Sequence, residues 1–312
     1  MPNRAAPANR EQPLTLRQLE LTDGFTVSRL TPASGGQNNV VFFGLSPAAE
    51  EVVAKVEGAA GRLHAEYRAL SWAARHGVAV PRVYRWGEVR SGELQGARCL
   101  VLGRVRGRRP VTPFDWRRMG TCLAGLTRLP VAGSGVRLVG ADEAVAHHEH
   151  ATAMLVAQLP SAHAAVVQRV AAEVPVPPLS RPVFAHGDPG PGNFLVSDAG
   201  PDHLIDWETA QATPMGLDPA RAAVLALLNA DPAGGDLARR QAAAVWHGYA
   251  AGTGRQPGAV ATRWWLTVAC VQFLAGRWRR RDAARVRPWE DAVTVLEDLE
   301  HVDHPWAARR PV

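Results

Sequence analysis

The chain has 312 residues, 46% of them hydrophobic and 21% charged, with a formal net charge of +6. It is long enough to bury a sizeable core in one large domain or two lobes, and neither a run of eighteen apolar residues nor a charged-then-apolar leader is apparent, which argues against a membrane span or a secretory signal. Cys99, Cys122 and Cys270 are odd in number and scattered, a pattern that offers no zinc spacing and fits a reducing cytoplasm.

Residues 1–13, rich in Pro, Asn, Ala and Arg, read as a loose tail. Next come two apolar segments, Phe25 to Leu30 and Val40 to Phe43, flanking Ser34-Gly35-Gly36-Gln37-Asn38-Asn39. A Gly-Gly turn between strands can bring backbone N–H groups over a phosphate chain, although most such turns are only hairpins. Lys55 follows, in Glu51-Val52-Val53-Ala54-Lys55-Val56, a β-branched run that reads as a buried strand holding one charge. It is the only lysine in the chain, against thirty-four arginines among the 35 basic residues. A buried charge is costly unless paired, so keeping a compact ammonium where every other site uses guanidinium points to a phosphate-holding charge. Its partner is expected from residues 62–76, which read as a helix with Leu63, Tyr67, Leu70 and Ala74 on one face and Glu66 inside that stripe.

Residues 115–129 and 142–159 read as helices, and Pro175-Val176-Pro177-Pro178 as a linker. The run His147-His148-Glu149-His150 suggests metal at first sight. Successive helical residues do not share a face, so a solvated helix face is the better reading. Residues 220–229 form the next expected helix, with Asp218 as N-cap and Pro219 at its first position. Later helices are expected over 239–251, 262–284 and 288–299. The basic run from Arg277 to Arg287 lacks interleaved stacking aromatics and reads as a charged outer face, not a nucleic-acid surface.

Between linker and later helices lies the segment that carries chemistry: His186-Gly187-Asp188-Pro189-Gly190-Pro191-Gly192-Asn193-Phe194-Leu195-Val196, then His203-Leu204-Ile205-Asp206-Trp207-Glu208. Pro189 pushes Asp188 out of the helical region, and Gly190-Pro191-Gly192 turns the chain sharply. Residues 194–196 and 203–205 read as two short strands around a polar turn. That hairpin is expected to bring Asn193 beside Asp206, two oxygen donors suited to Mg²⁺. Asp188 is then placed to accept a hydroxyl proton. Each residue alone is an ordinary turn former; together they have the spacing that kinase-type phosphoryl transfer requires.

Taken in order, the glycine turn, strand lysine, helix glutamate, His-Gly-Asp loop with its asparagine, and Ile-Asp-Trp-Glu resemble the aminoglycoside phosphotransferase and choline kinase group of the kinase-like fold. The resemblance covers roughly Leu14 to Leu299. It implies an α+β, two-lobed protein-kinase-like fold: a small N-terminal antiparallel-sheet lobe with one helix (14–104) and a larger, mostly helical C-terminal lobe (105–312). It further implies that Gly35 and Gly36 cover the phosphates, Lys55 holds the ATP α/β-phosphates, and Glu66 positions Lys55. Asp188 becomes the catalytic base, and Asn193 and Asp206 bind Mg²⁺. The stretch Arg98 to Gly107 matches the last small-lobe strand and hinge, whose backbone at Leu102, Gly103 and Arg104 would receive adenine. His186 supports the loop, and Asp218 braces it. Gly187 stands where protein kinases carry arginine, which argues against protein-kinase activity and against control by a phosphorylated loop.

The expected function is transfer of the ATP γ-phosphoryl group to a hydroxyl of a small molecule in the cytoplasm, with no nucleic-acid or membrane partner and the oligomeric state left open. An antibiotic is the first candidate acceptor and a metabolic alcohol the second. A catalytically silent nucleotide-binding regulator is a further reading. A polycationic acceptor would require carboxylates in its pocket. The sequence concentrates them only at Glu290, Asp291, Glu297, Asp298, Glu300 and Asp303.

Overall fold

A computed structural model of the chain describes residues 16–33, 39–58, 61–228, 235–255 and 257–279. They fall into two compact units, 1–106 with 205–209, and 107–204 with 210–312. The glycine turn with Gly35 and Gly36, the expected helix over 288–299 with its acidic run, and most of the basic run lie outside the described residues.

The first unit is a six-stranded antiparallel sheet with one helix. Its strands are β1 (Gln18–Glu20), β2 (Thr26–Pro32), β3 (Asn39–Leu45), β4 (Glu51–Glu57), β5 (Val83–Glu88) and β6 (Arg98–Gly103), in the order β1-β2-β3-β4-β6-β5. In β4 the period-2 alternation of a strand buries Val52, Ala54 and Val56 completely. These join Phe42, Val27, Cys99 and Val101 in the core, and Lys55 is turned to the other face. Helix α1 (Leu63–Arg75) buries Leu63, Glu66, Ala69, Leu70 and Ala73. The expected stripe through Tyr67 and Ala74 is therefore displaced by one residue. Ala74 is exposed, and Tyr67 sits at the edge of the buried face, stacked on Trp86 with ring centroids 5.5 Å apart.

The second unit is mostly helical: α2 (Pro113–Leu126), α3 (Ala141–Gln158), α4 (Ser161–Glu173), α5 (Leu217–Leu228), α6 (Gly235–Thr253) and α7 (Ala259–Arg279). Helix α2 starts with a capping box, in which the Thr112 hydroxyl accepts from the Asp115 N–H and the Asp115 carboxylate accepts from the Thr112 N–H, satisfying two otherwise orphaned donors. Helices α2 and α6 touch backbone to backbone. A Cβ at Gly248 would lie 1.9 Å from the Arg117 carbonyl oxygen, and one at Gly120 would lie 2.0 Å from that of Val245, so only glycine allows this approach. Short strands β7 (Arg137–Leu138), β8 (Pro182–Ala185) and β11 (Gln211–Pro214) form a sheet in the order β7-β11-β8, and β9 (Phe194–Leu195) pairs with β10 (His203–Leu204) as the expected hairpin. Helix α4 was not anticipated from the sequence. No helix among the described residues is long and apolar enough to cross a membrane.

Candidate active site

In the first unit, β4 and α1 hold a buried ionic group. Lys55 Nζ donates to Glu66 Oε1 at 2.7 Å, to Glu66 Oε2 at 3.0 Å and to Asp206 Oδ1 at 2.8 Å. Glu66 is wholly buried, and its Oε1 also accepts from the Trp207 backbone N–H at 3.3 Å. Burial disfavours the Lys55 ammonium, but the carboxylates of Glu66 and Asp206 outweigh it and hold the pKa above the ordinary lysine value. Asp206 lies at φ +65°, a left-handed conformation that aspartate tolerates better than most residues. With Trp207 fully buried beside it, that bend leaves the Asp206 side chain 42% exposed.

Behind this segment, the Asn39 side chain joins three pieces of chain. Its Nδ2 donates to Glu208 Oε2 at 3.1 Å, and its Oδ1 accepts from the Gly58 N–H at 3.3 Å. At the end of β6, Leu102 pairs with Val53 on one side and Val83 on the other. The N–H of Gly103 donates to the Arg82 carbonyl at 2.7 Å and that of Arg104 to the Glu51 carbonyl at 3.0 Å.

In the second unit, β8 delivers the chain into a loop whose first half, 186–190, exposes a single residue. His186, Gly187, Pro189 and Gly190 are buried, and Asp188 is exposed. The Asp188 N–H donates to His186 Nδ1 at 3.3 Å. Gly187 adopts φ +85°, a conformation that favours glycine. The Asn193 side-chain Nδ2 donates to the Asp188 carbonyl at 3.0 Å and to its Oδ2 at 3.2 Å. The hairpin beyond is clamped from α2. Arg118 donates to both oxygens of Asp202 at 2.8 and 2.6 Å and to the Ser197 carbonyl at 2.9 Å.

Asp218 is the brace of this loop. Its Oδ2 accepts from the His186 N–H at 2.6 Å and its Oδ1 from the Gly187 N–H at 3.1 Å. The expectation of an N-cap at this position is corrected: α5 starts at Leu217, and both Asp218 oxygens are committed to the loop. Burial raises the pKa of this carboxyl, and the Arg221 guanidinium and the two amides pull it back. Arg221, not singled out in the sequence, donates to the Gly187 carbonyl and to Gln272 Oε1. The signal was present, a lone charge three residues after Asp218 in an otherwise apolar helix. Of the histidine run, His148 is 7% exposed and faces the Trp264 ring edge, which corrects the expectation of a solvated face there. His147 lies 3.6 Å from Glu143. No cluster of three metal-ligating side chains is found among the described residues.

Sequence and structure thus gather the expected residues into two sets, Lys55, Glu66 and Asp206 in one unit, and His186, Asp188, Asn193 and Asp218 in the other. An antiparallel-sheet lobe with one helix, followed by a helical lobe, carrying these sets, defines a kinase-like phosphotransferase. Residues 29–263 match the model of the phosphotransferase enzyme family, APH, and the chain belongs to that family. Solved structures agree on the fold. A macrolide 2′-phosphotransferase from Brachybacterium faecium is 19% identical with TM-score 0.59, over 86% of this chain and 91% of the other. Aminoglycoside 2′-phosphotransferase-IIIa in its GDP complex is 17% identical with TM-score 0.60, over 88% and 93%. A spectinomycin phosphotransferase in complex with ADP and spectinomycin is 14% identical with TM-score 0.57, over 89% and 94%. Comparison with curated proteins gives no match.

Proposed function

We propose that the protein transfers the γ-phosphoryl group of ATP to a hydroxyl of a small molecule, with an antibiotic as the leading class of acceptor. The observation that carries this reading is the exposed Asp188, whose carboxylate accepts from Asn193 while its neighbours His186, Gly187, Pro189 and Gly190 are buried. A carboxylate so fixed is fitted to accept a hydroxyl proton. As the acceptor oxygen bonds to the γ-phosphorus, the bond from that phosphorus to the β–γ bridging oxygen breaks. ADP leaves with the electron pair, and the hydroxyl proton passes to Asp188.

Lys55 holds the α/β-phosphates, and Glu66, buried and bonded to Nζ through both oxygens, keeps that ammonium in place. The backbone around Leu102, Gly103 and Arg104 takes the base. Mg²⁺ would be held by the Asp206 carboxylate and the Asn193 amide oxygen, each a hard oxygen ligand of the kind this ion takes together with waters and phosphates. Bound there, the ion would neutralise charge developing on the transferred group. His186 and Asp218 keep the Asp188 loop in register. The ADP and spectinomycin complex of one fold neighbour supports a nucleotide and a small-molecule acceptor. The three free cysteines suit the cytoplasm.

Asp188→Ala tests the reading. It should lower phosphoryl transfer by about 10²- to 10⁴-fold, the usual worth of a general base, with ATP affinity preserved. Undiminished turnover would refute the assignment.

A further inference from the structure

The second unit contains a cavity of about 360 Å³ that none of the roles above uses in full. This is within the range of small-molecule pockets. It is bounded by β7, α3, β11, α5 and α7, and Arg221, which donates to the Gly187 carbonyl beside Asp188, forms part of its wall. β11 contributes Gln211 and Thr213, two residues apart and therefore on one face of the strand. Gln211 pairs with Ala185, the residue that leads into His186. The cavity is thus built against the loop that carries Asp188.

Two features of the lining point to a ligand. The Thr213 side chain is 1% exposed, and its hydroxyl oxygen is buried with no hydrogen-bond partner in the protein. A buried hydroxyl left unpaired is a cost that a bound polar group removes. The second feature is charge. Among the described residues, the ionisable side chains on the wall are Arg137, His147, His150 and Arg221, with no carboxylate in the lining. Glu143 lies behind the wall, paired with Arg137 and 3.6 Å from His147. Asp218 lies beside Arg221. Glu143 is committed to the cations and Asp218 to the loop amides, so the polar part of the described lining is Arg137, His147, His150, Gln211, Thr213, Arg221 and Gln272, beside apolar side chains and the indole of Trp265. Gly216 makes room for that ring, since a Cβ there would stand 2.4 Å from Trp265 Cδ1.

We propose that this cavity receives the acceptor, and that the acceptor presents oxygens to it, uncharged or acidic, and no ammonium group. Guanidinium, imidazole and hydroxyl groups complement oxygen acceptors, whereas a polyamine would meet cations with no carboxylate among the described lining residues to neutralise it. The proposal rests on the phosphotransferase reading and narrows its acceptor class.

The test uses the full chain, with the acidic residues from Glu290 to Asp303 present. Protein, ATP and Mg²⁺ are incubated with hydroxylated compounds sorted by charge: glucosamine, N-acetylglucosamine and glucuronate, and a natural-product panel divided into the same three classes. Phosphoryl mass gain is the readout. Gain confined to uncharged or acidic compounds is expected. On the best of them, Thr213→Val should raise the acceptor KM roughly threefold to tenfold, the worth of one hydrogen bond, with the ATP KM unchanged. The ligand-free Tm of this variant should be equal or higher, because an unpaired hydroxyl has been removed. Turnover of ammonium-bearing acceptors at comparable kcat/KM, or an unchanged acceptor KM in Thr213→Val, overturns the proposal and leaves the phosphotransferase reading intact. Absence of mass gain in every class overturns both.

Discussion

Glu66→Gln perturbs the ionic group of the first unit while keeping its shape. In the native chain Glu66 accepts two bonds from Lys55, at 2.7 and 3.0 Å, and one from the Trp207 N–H. The amide retains one oxygen for these donors and turns an NH₂ toward the ammonium, which needs an acceptor. The gross attraction lost is about 6 kcal/mol at 2.7 Å and an effective dielectric of 20. Part of it is returned, because a neutral side chain is cheaper to bury and Asp206 still accepts from Lys55 at 2.8 Å. Losing a hydrogen bond to a charged group costs about 1.5–3 kcal/mol net, so a loss of about 2 kcal/mol is expected. Glu66→Ala, which strands the lysine, should cost about 3–5 kcal/mol. Released from Glu66, Lys55 should shift toward Asp206, and under the proposed function its hold on the phosphates should weaken. Each ~1.4 kcal/mol of transition-state interaction lost is tenfold in rate, so kcat/KM for ATP should fall about 10- to 100-fold. Urea unfolding and initial rates measure the two effects, and a double-mutant cycle with Lys55→Met isolates the pair. A glutamine variant with wild-type rates and an unshifted unfolding midpoint would show that the buried pair neither stabilises the unit nor positions the lysine.

Two further expectations follow from the second unit. Burial lowers the His148 pKa from 6.5 to about 4. The unfolded chain therefore takes up this proton first as pH falls, and the folded state loses stability from pH 6.5 down to about 4 and no further. The loss is at most about 3 kcal/mol from this group; His148→Leu should flatten that part of the profile, and an unaltered slope in the variant would contradict the assignment. Gly248→Ala gains about 1 kcal/mol of helix propensity, but its methyl must be accommodated 1.9 Å from the Arg117 carbonyl oxygen. Pushing two backbones apart in a packed interface costs more than that gain, so a net loss of roughly 1–3 kcal/mol is expected. Gly125→Ala on α2, with nothing within 4 Å of the added Cβ, should be neutral or slightly stabilising. Thermal unfolding of both variants decides the matter, and equal midpoints would mean that α2 and α6 do not meet as closely as described.

What could be read from the sequence was what chemistry makes conspicuous. A single lysine among arginines and a glutamate inside an apolar helical stripe announce a buried pair, and the structure makes that bond. Asp188 and Asn193 were legible from their spacing and from the proline and glycines between them, which fix the turn locally. Arg221 was passed over: its mark, a lone charge in an apolar helix three residues after Asp218, is fainter than that of a single lysine because it is one arginine among thirty-four. Strands β7, β8 and β11 have two to four residues each, too short for periodicity to show; they exist through pairing with distant segments. The Thr213 hydroxyl looks like any strand threonine until its lack of a partner is seen. The stripe on α1 was misplaced by one residue because Tyr67 is apolar enough to pass for core, yet it stacks on Trp86 instead.

Helix α5 explains why the loop holds Asp188 in one place. Three successive backbone groups of that loop, the N–H of His186 and both the N–H and C=O of Gly187, end on Asp218 and Arg221, one helical turn apart on a single rigid element. The loop cannot shift without breaking all three, and Arg221 is in turn tied to Gln272 of α7. The same arginine walls the cavity. The element that fixes the carboxylate therefore also shapes the cavity, so under the proposed function the distance between Asp188 and an acceptor hydroxyl would depend on where α5 begins. That point is set by Gly216, at φ +120° and packed on Trp265. A side chain there would move α5, and with it both the brace and the wall, although Gly216 itself takes no part in the transfer.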